Sequence, residues 1–85
     1  MSLPIDLYMR PWCPFCVRAK QLLQAKGLAF NEINLDQAPE RMQEMLDRSK
    51  GRRTVPQIFI GEVHVGGCDD LYALERDGQL DPLLT

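Results

Sequence analysis

Apolar residues recur along this chain with two different periods, and the switches between them mark out the elements. Leu3, Ile5 and Leu7 alternate over residues 3–9, the period-2 signature of a half-buried strand. Arg10, Pro11 and Trp12 break that alternation. Over residues 14–26 the spacing becomes helical: Ala19, Leu22 and Leu23 recur on one side, with Phe15 and Cys16 on or near the same face. Gly27 is a natural stop, because glycine takes the left-handed conformation that ends a helix. Residues 28–35 read as a second, imperfectly alternating strand. A second helix begins within residues 36–39, with Pro39 in its first turn and Glu40 at the favourable end of the dipole. Met42, Met45, Leu46 and Ser49 give it an apolar face, and Gly51 ends it.

Residues 52–56 form a connector. Gln57-Ile58-Phe59-Ile60 and Val63-His64-Val65 then flank Gly61-Glu62, which reads as strand, two-residue turn and strand: a hairpin. Gly66-Gly67 closes it. Cys68, Asp69 and Asp70 cap a last helix with Leu71 and Leu74 as its apolar contacts and Gly78 as its stop. Residues 81–85 can add one helical turn that packs Leu83 or Leu84 on the body. The order is β-α-β-α-β-β-α. Its first β-α-β requires a parallel pair with a right-handed crossover, and its hairpin is antiparallel. The predicted fold class is therefore α/β, a mixed four-stranded sheet with helices on both faces, which is the layout of the thioredoxin fold.

Composition narrows the reading. At 85 residues the chain is expected to be a single domain spanning 1–85. A formal net charge of −2 argues against general nucleic-acid binding, which needs a strongly basic face. No apolar run approaches the ~20 residues of a membrane span. The first ten residues lack a basic stretch followed by an apolar one, so no signal peptide is read and a cytoplasmic location is expected. The three cysteines are an odd count that suits a secreted disulfide scaffold poorly. In a reducing compartment a close pair reads as metal-binding or catalytic before it reads as structural.

Cys13 and Cys16 are that pair. A Cys-x-x-Cys close to a β-α-β pattern is a redox signal. Pro14 fits the first helical turn, where its missing N–H costs nothing. Cys13 then falls at or near the N-cap, facing unpaired backbone N–H groups and the positive end of the helix dipole, and both favour a thiolate. Cys13 is thus the expected nucleophile. Cys16, one turn on, is expected to be more buried and less acidic: the resolving thiol. Arg10 and the Arg52-Arg53 pair add positive field. A zinc site would need about four ligands, and Cys13, Cys16, His64 and Cys68 are the available set. Against it, His64 lies between two valines and points away from the face they bury, in a solvent-facing position. No metal is expected. Trp12 reads as a partly exposed apolar lid, Cys68 as a small buried or capping residue, and Met9, Met42 and Met45 as core filler.

Two distant segments add recognition chemistry. Pro56 directly before an apolar strand is either a plain strand-start proline or a cis proline that leaves Val55 backbone groups free for a bound peptide. Gly66-Gly67 before a capped helix suits close approach of a ligand whose carboxylate sits on the helix N-terminus. Asp69 or Asp70 can pair with a ligand amine. Carboxylate and amine recognition side by side is what an amino-acid-like head group needs.

Tyr8, Cys13-Pro14-Phe15-Cys16, Thr54-Val55-Pro56-Gln57, Gly66-Gly67 and Cys68-Asp69-Asp70 together resemble the glutaredoxins, and residues 54–84 are similar to the small bacterial glutaredoxin 3 type. The resemblance implies a glutathione-dependent thiol–disulfide oxidoreductase acting on protein–glutathione mixed disulfides and protein disulfides. Glutathione is then a co-substrate, with no tightly bound cofactor. Glutathione reductase with NADPH is the indirect partner, and a monomer is expected, with neither nucleic acid nor membrane as partner. By the same resemblance, Arg10 with Arg52 or Gln57 holds the glycine carboxylate. The Val55 backbone, between Thr54 and Pro56, pairs with the cysteinyl part. The Cys68 and Asp69 backbone N–H groups take the γ-glutamyl carboxylate, with Asp69 or Asp70 near its amine, and Gly67 and Phe15 border the groove. The chain departs from the family at Arg10, commonly Lys, at Phe15, commonly Tyr, and at Trp12 and Arg53. An iron–sulfur carrier is the competing reading; Pro14 speaks against it, since cluster-binding relatives usually carry a smaller residue there. A thioredoxin-like reductase fed by a flavoprotein is the third, disfavoured by the groove residues.

Overall fold

Strand β1 (Ile5–Met9) lies second in a four-stranded sheet ordered β2-β1-β3-β4 in a computed structural model that describes residues 3–84. It begins at Ile5 rather than Leu3, because the Leu3 N–H is drawn to the carbonyl of Leu84 at 3.1 Å. Helix α1 (Pro14–Ala25) follows, with Cys13 as its N-cap in extended conformation. It ends in a Schellman arrangement: Gly27 at φ +69° donates to Gln24 O at 3.0 Å and Leu28 donates to Leu23 O at 3.1 Å.

Strand β2 (Asn31–Asn34) is parallel to β1 and pairs from Asp6–Asn31 to Met9–Asn34. It is shorter than the expected 28–35. Leu28 is spent on closing α1, and residues 28 and 29 run past Ile5, the first residue of the strand they would pair with. The second helix also starts later than its sequence signals. Asn34 Oδ1 accepts the Asp36 N–H at 2.9 Å, making a local turn. A 3₁₀ turn (Pro39–Arg41) leads into α2 (Met42–Ser49), which ends at Lys50 in the left-handed region with Gly51 donating to Leu46 O at 2.8 Å.

Strands β3 (Gln57–Ile60) and β4 (Val63–Gly66) form the hairpin, and β3 runs antiparallel to β1 with Ile5 opposite Ile60 and Tyr8 opposite Gln57. Helix α3 (Cys68–Arg76) and the short α4 (Leu80–Leu83) complete the chain. Thr85, the last residue of the expected terminal turn, lies outside the described residues; Leu80 and Leu84 are buried, and Leu83 is partly so. This is the thioredoxin fold, a mixed sheet with helices on both faces.

Strand alternation divides the core in two. Ile5, Leu7, Met9, Ile58 and Ile60 face α1, α3 and α4, meeting Ala19, Leu23, Leu71 and Leu80. Tyr8 and Phe59 point the other way, onto Ile33, Leu35 and Met45 under α2. Burying a side chain such as Leu23 contributes about 1.5–3 kcal/mol. Arg48 pins α2 to the sheet: its Nη1 donates to Asp6 at 3.0 Å and to the Tyr8 hydroxyl at 2.9 Å, and its guanidinium lies 4.1 Å from the Phe59 ring centre. The Tyr8 hydroxyl donates to Glu44, and burial followed by that carboxylate pushes its pKa up against the pull of Arg48.

Candidate active site

Cys13 stands where the chain leaves β1 and turns into α1. Its N–H donates to Arg10 O at 3.2 Å across the turn, and its carbonyl accepts the first helical bond, from Val17 N at 3.1 Å. Pro14 occupies N1 and brings no N–H. The Cys16 N–H donates to the Cys13 sulfur at 3.3 Å. A charged sulfur accepts such a bond better than a neutral one. On its other side the Cys13 sulfur lies 3.7 Å from the Val55 carbonyl oxygen.

The two thiols are unequal. Cys13 is 6% exposed and Cys16 only 1%. Burial pushes the Cys16 thiol up to about 12; a backbone hydrogen bond from Arg10 opposes this and the neighbouring Cys13 adds to it. Cys16 is therefore held as a thiol at neutral pH. All three cysteines are free thiols. Burial also pushes Cys68 up, with the Arg18 cation pulling the other way.

The Val55–Pro56 peptide is cis. Gly66 adopts φ +115°, and a Cβ there would stand 2.3 Å from Asp70 Oδ2. That oxygen accepts the Gly67 N–H at 2.9 Å. The N-cap of α3 is thus Gly67, supported from within the helix by Asp70, rather than a residue of the Cys68–Asp70 stretch itself.

A groove of about 180 Å³ opens beside Val55, and neither Cys13 nor Cys16 lines it. One wall is the connector, with Arg52, Thr54, Val55 and Pro56; the other is the start of α3, with Gly67, Cys68, Asp69 and Asp70; Phe15 borders it from α1. Arg52 Nη1 lies 3.9 Å from Asp70 Oδ2, so cationic and anionic groups meet across it. Phe15 is 51% exposed, and Trp12, outside the groove, is 69% exposed.

Arg10 and Gln57 are not brought to the groove. The Arg10 guanidinium is paired with Asp36 at the far side of the turn. Gln57 is fully buried on the α2 face of β3, because the strand alternates and Ile58 takes the face of the cysteines. His64 is not solvent-facing either. It is half-buried and stacked on Phe59, with ring centres 4.8 Å apart. Burial first, then the Arg52 charge, push its pKa below the usual histidine value. It sits across the sheet from the cysteines, so the Cys₃His set is not assembled. Among the described residues, no three His, Cys, Asp or Glu side chains are grouped to hold a metal ion.

A dithiol at the start of the first helix of a thioredoxin fold, one sulfur at the helix cap and the other buried behind it, defines a thiol–disulfide oxidoreductase. Comparison with known proteins agrees. The Glutaredoxin family model matches residues 5–65. A glutaredoxin of Pseudomonas aeruginosa is 61% identical over 82 residues, covering 96% of each chain. Glutaredoxin 3 of Escherichia coli is 54% identical over 80 residues, covering 94% of this chain and 95% of that one. The solution structure of glutaredoxin from Brucella melitensis superposes with a TM-score of 0.82 at 59% identity, covering 98% of this chain and 89% of that one. A crystal structure of a buckwheat glutaredoxin–glutathione complex superposes at 0.85 with 38% identity, covering 96% and 76%. The chain belongs to the glutaredoxin family, and it is an oxidoreductase of that class.

Proposed function

We propose that this protein uses glutathione to reduce protein–glutathione mixed disulfides and protein disulfides, with Cys13 as nucleophile and Cys16 as resolving thiol. The observation that carries this reading is the groove walled by Arg52, Val55 and the N-terminus of α3, whose Val55 carbonyl oxygen lies 3.7 Å from the Cys13 sulfur. Glutathione is a tripeptide with two carboxylates, one ammonium and one thiol. Arg52 suits the glycine carboxylate, and the first N–H groups of α3, at Cys68 and Asp69, suit the γ-glutamyl carboxylate. Asp69 suits the ammonium, since Asp70 is already committed to the Gly67 N–H. Thr54, Val55 and Pro56 border the cysteinyl part, and the buckwheat relative is described as a complex with glutathione.

In the first step the Cys13 thiolate attacks the glutathionyl sulfur of a mixed disulfide. A Cys13–glutathione disulfide forms, and the protein sulfur leaves as a thiolate that takes a proton. A second glutathione thiolate attacks the bound glutathionyl sulfur, releasing oxidised glutathione and returning Cys13. On a protein disulfide, Cys13 forms a mixed disulfide with the target. Cys16 then loses its proton and attacks the Cys13 sulfur, closing the Cys13–Cys16 disulfide and releasing the target dithiol. Two glutathiones reopen it. Because burial keeps Cys16 protonated, it does not compete for the first attack. Oxidised glutathione is returned by glutathione reductase with NADPH. We place the enzyme, as a monomer, in the cytoplasm, where the glutathione pool is reduced.

The test is NADPH consumption with glutathione, glutathione reductase and a glutathionylated peptide. Cys13→Ser should be inactive, whereas Cys16→Ser should keep this activity and lose reduction of an intramolecular protein disulfide. Substantial turnover by Cys13→Ser overturns the assignment.

A further inference from the structure

The groove wall at Thr54–Pro56 belongs to a connector without helix or strand of its own, and what holds it comes from the far face of the sheet. Gln57, the first residue of β3, is fully buried. Its amide nitrogen donates twice, to Thr54 O at 2.9 Å and to Thr54 Oγ1 at 3.2 Å. Both N–H groups are thereby spent on the connector, so the amide oxygen must face the other way. It meets His64 Nε2 at 2.6 Å. An amide oxygen carries no hydrogen, so the imidazole proton sits on Nε2 and donates. The imidazole itself is held by its stack on Phe59, whose ring is covered by the Arg48 guanidinium.

We propose that His64 and Gln57 are positioning residues for the reaction at Cys13. The imidazole fixes the Gln57 amide, the amide fixes Thr54, and the next residue carries the carbonyl that faces the Cys13 sulfur at 3.7 Å. Neither side chain lines the groove. Both act through the backbone of the segment that does, and this differs from the carboxylate-binding role that the family resemblance implies for Gln57. A buried amide is tolerated only when its hydrogen bonds are made, so the clamp is all-or-none: without the His64 donor, Gln57 Oε1 is orphaned and the amide is free to turn off Thr54.

The clamp rests on the disulfide-exchange chemistry of Cys13, and its test separates it from the glutathione reading by using two probes. One is a glutathionylated peptide under turnover. The other is a cystine-bridged peptide reduced in a single turnover by pre-reduced enzyme, with no glutathione present. His64→Phe keeps the stack on Phe59 and deletes the donor; His64→Gln restores an N–H that reaches the same oxygen; Gln57→Leu removes the amide. We expect His64→Phe and Gln57→Leu to raise the KM of the first probe and the half-saturating concentration of the second about threefold to tenfold, with kcat on the first and the limiting single-turnover rate on the second within about twofold. His64→Gln should recover to within about twofold of wild type, and the Thr54 and Val55 amide resonances should broaden or shift only in the first two variants. If Gln57→Leu does not fold, His64→Phe carries the comparison. An unchanged half-saturation in His64→Phe, or a His64→Gln variant as impaired as His64→Phe, overturns the proposal. Wild-type inactivity on the glutathionylated probe alone overturns the glutathione reading and leaves the clamp to be read on the other.

Discussion

Gly66→Ala is the sharpest probe of how the start of α3 is built. At φ +115° an alanine is strained whatever the space around it, at a cost of about 1–3 kcal/mol. The new Cβ would also lie 2.3 Å from Asp70 Oδ2 and 2.9 Å from its Cγ, distances no real contact sustains. Asp70 must swing away, and with it goes the bond to the Gly67 N–H at 2.9 Å. Loss of a cap of this kind costs about 0.5–2 kcal/mol. The single variant should therefore lose about 1.5–5 kcal/mol in all. Asp70→Ala alone should lose only the cap. In that background Gly66→Ala no longer meets the carboxylate, so the double variant should fall short of the summed losses by about the cap term. Urea unfolding of the four proteins of this cycle measures the coupling. Strict additivity would refute the reasoning, because it would mean that residue 66 and Asp70 do not contend for the same space.

Two further predictions concern titration. His64 is held below its unfolded value by burial and by Arg52 and Arg48, against the pull of Asp70, so the unfolded chain takes its proton first. Stability should fall as pH drops below about 6.5 and level off once the folded imidazole protonates; the urea midpoint should be lower at pH 5.5 than at 7.5, and His64→Phe should flatten that difference. Burial raises both Cys16 and Cys68, so brief treatment with iodoacetamide at pH 8 followed by peptide mapping should find the label on Cys13 first, and early label on either of the others would contradict the proposed role of Cys13 as the reactive thiol.

The fold was legible because its punctuation is local. Pro14 after a broken strand and Gly27 after a helical run each act on their own neighbourhood, and the hairpin turn at Gly61 is written in adjacent letters. What depended on distant partners was harder to read. Strand β2 is shorter than its apolar letters suggest partly because β1 begins at Ile5 and leaves no strand residue opposite 28 and 29. The family resemblance assigns Gln57 to the groove, yet strand alternation puts it on the opposite face, a signal present in the same four letters. His64 reads as a surface residue between two valines, and only the tertiary packing of α2 and the register opposite Phe59 cover it. Arg10 keeps the expected charge near the motif, but the Asp36 turn, unseen in any local pattern, claims its guanidinium.

One residue at the active site does two jobs with different atoms. The amide of Cys16 donates to the Cys13 sulfur at 3.3 Å, while in the proposed mechanism the thiol of Cys16 attacks that same sulfur later. Side-chain replacement reaches only the second job. Every residue except proline supplies the same main-chain donor, so a serine at 16 leaves the first sulfur's setting in place and removes only its rival. The step from a dithiol to a monothiol mechanism is thus a single substitution away, with no rebuilding of the helix start. By contrast, proline at 16 would remove the donor along with the thiol, and no repair elsewhere in the side chains would restore it.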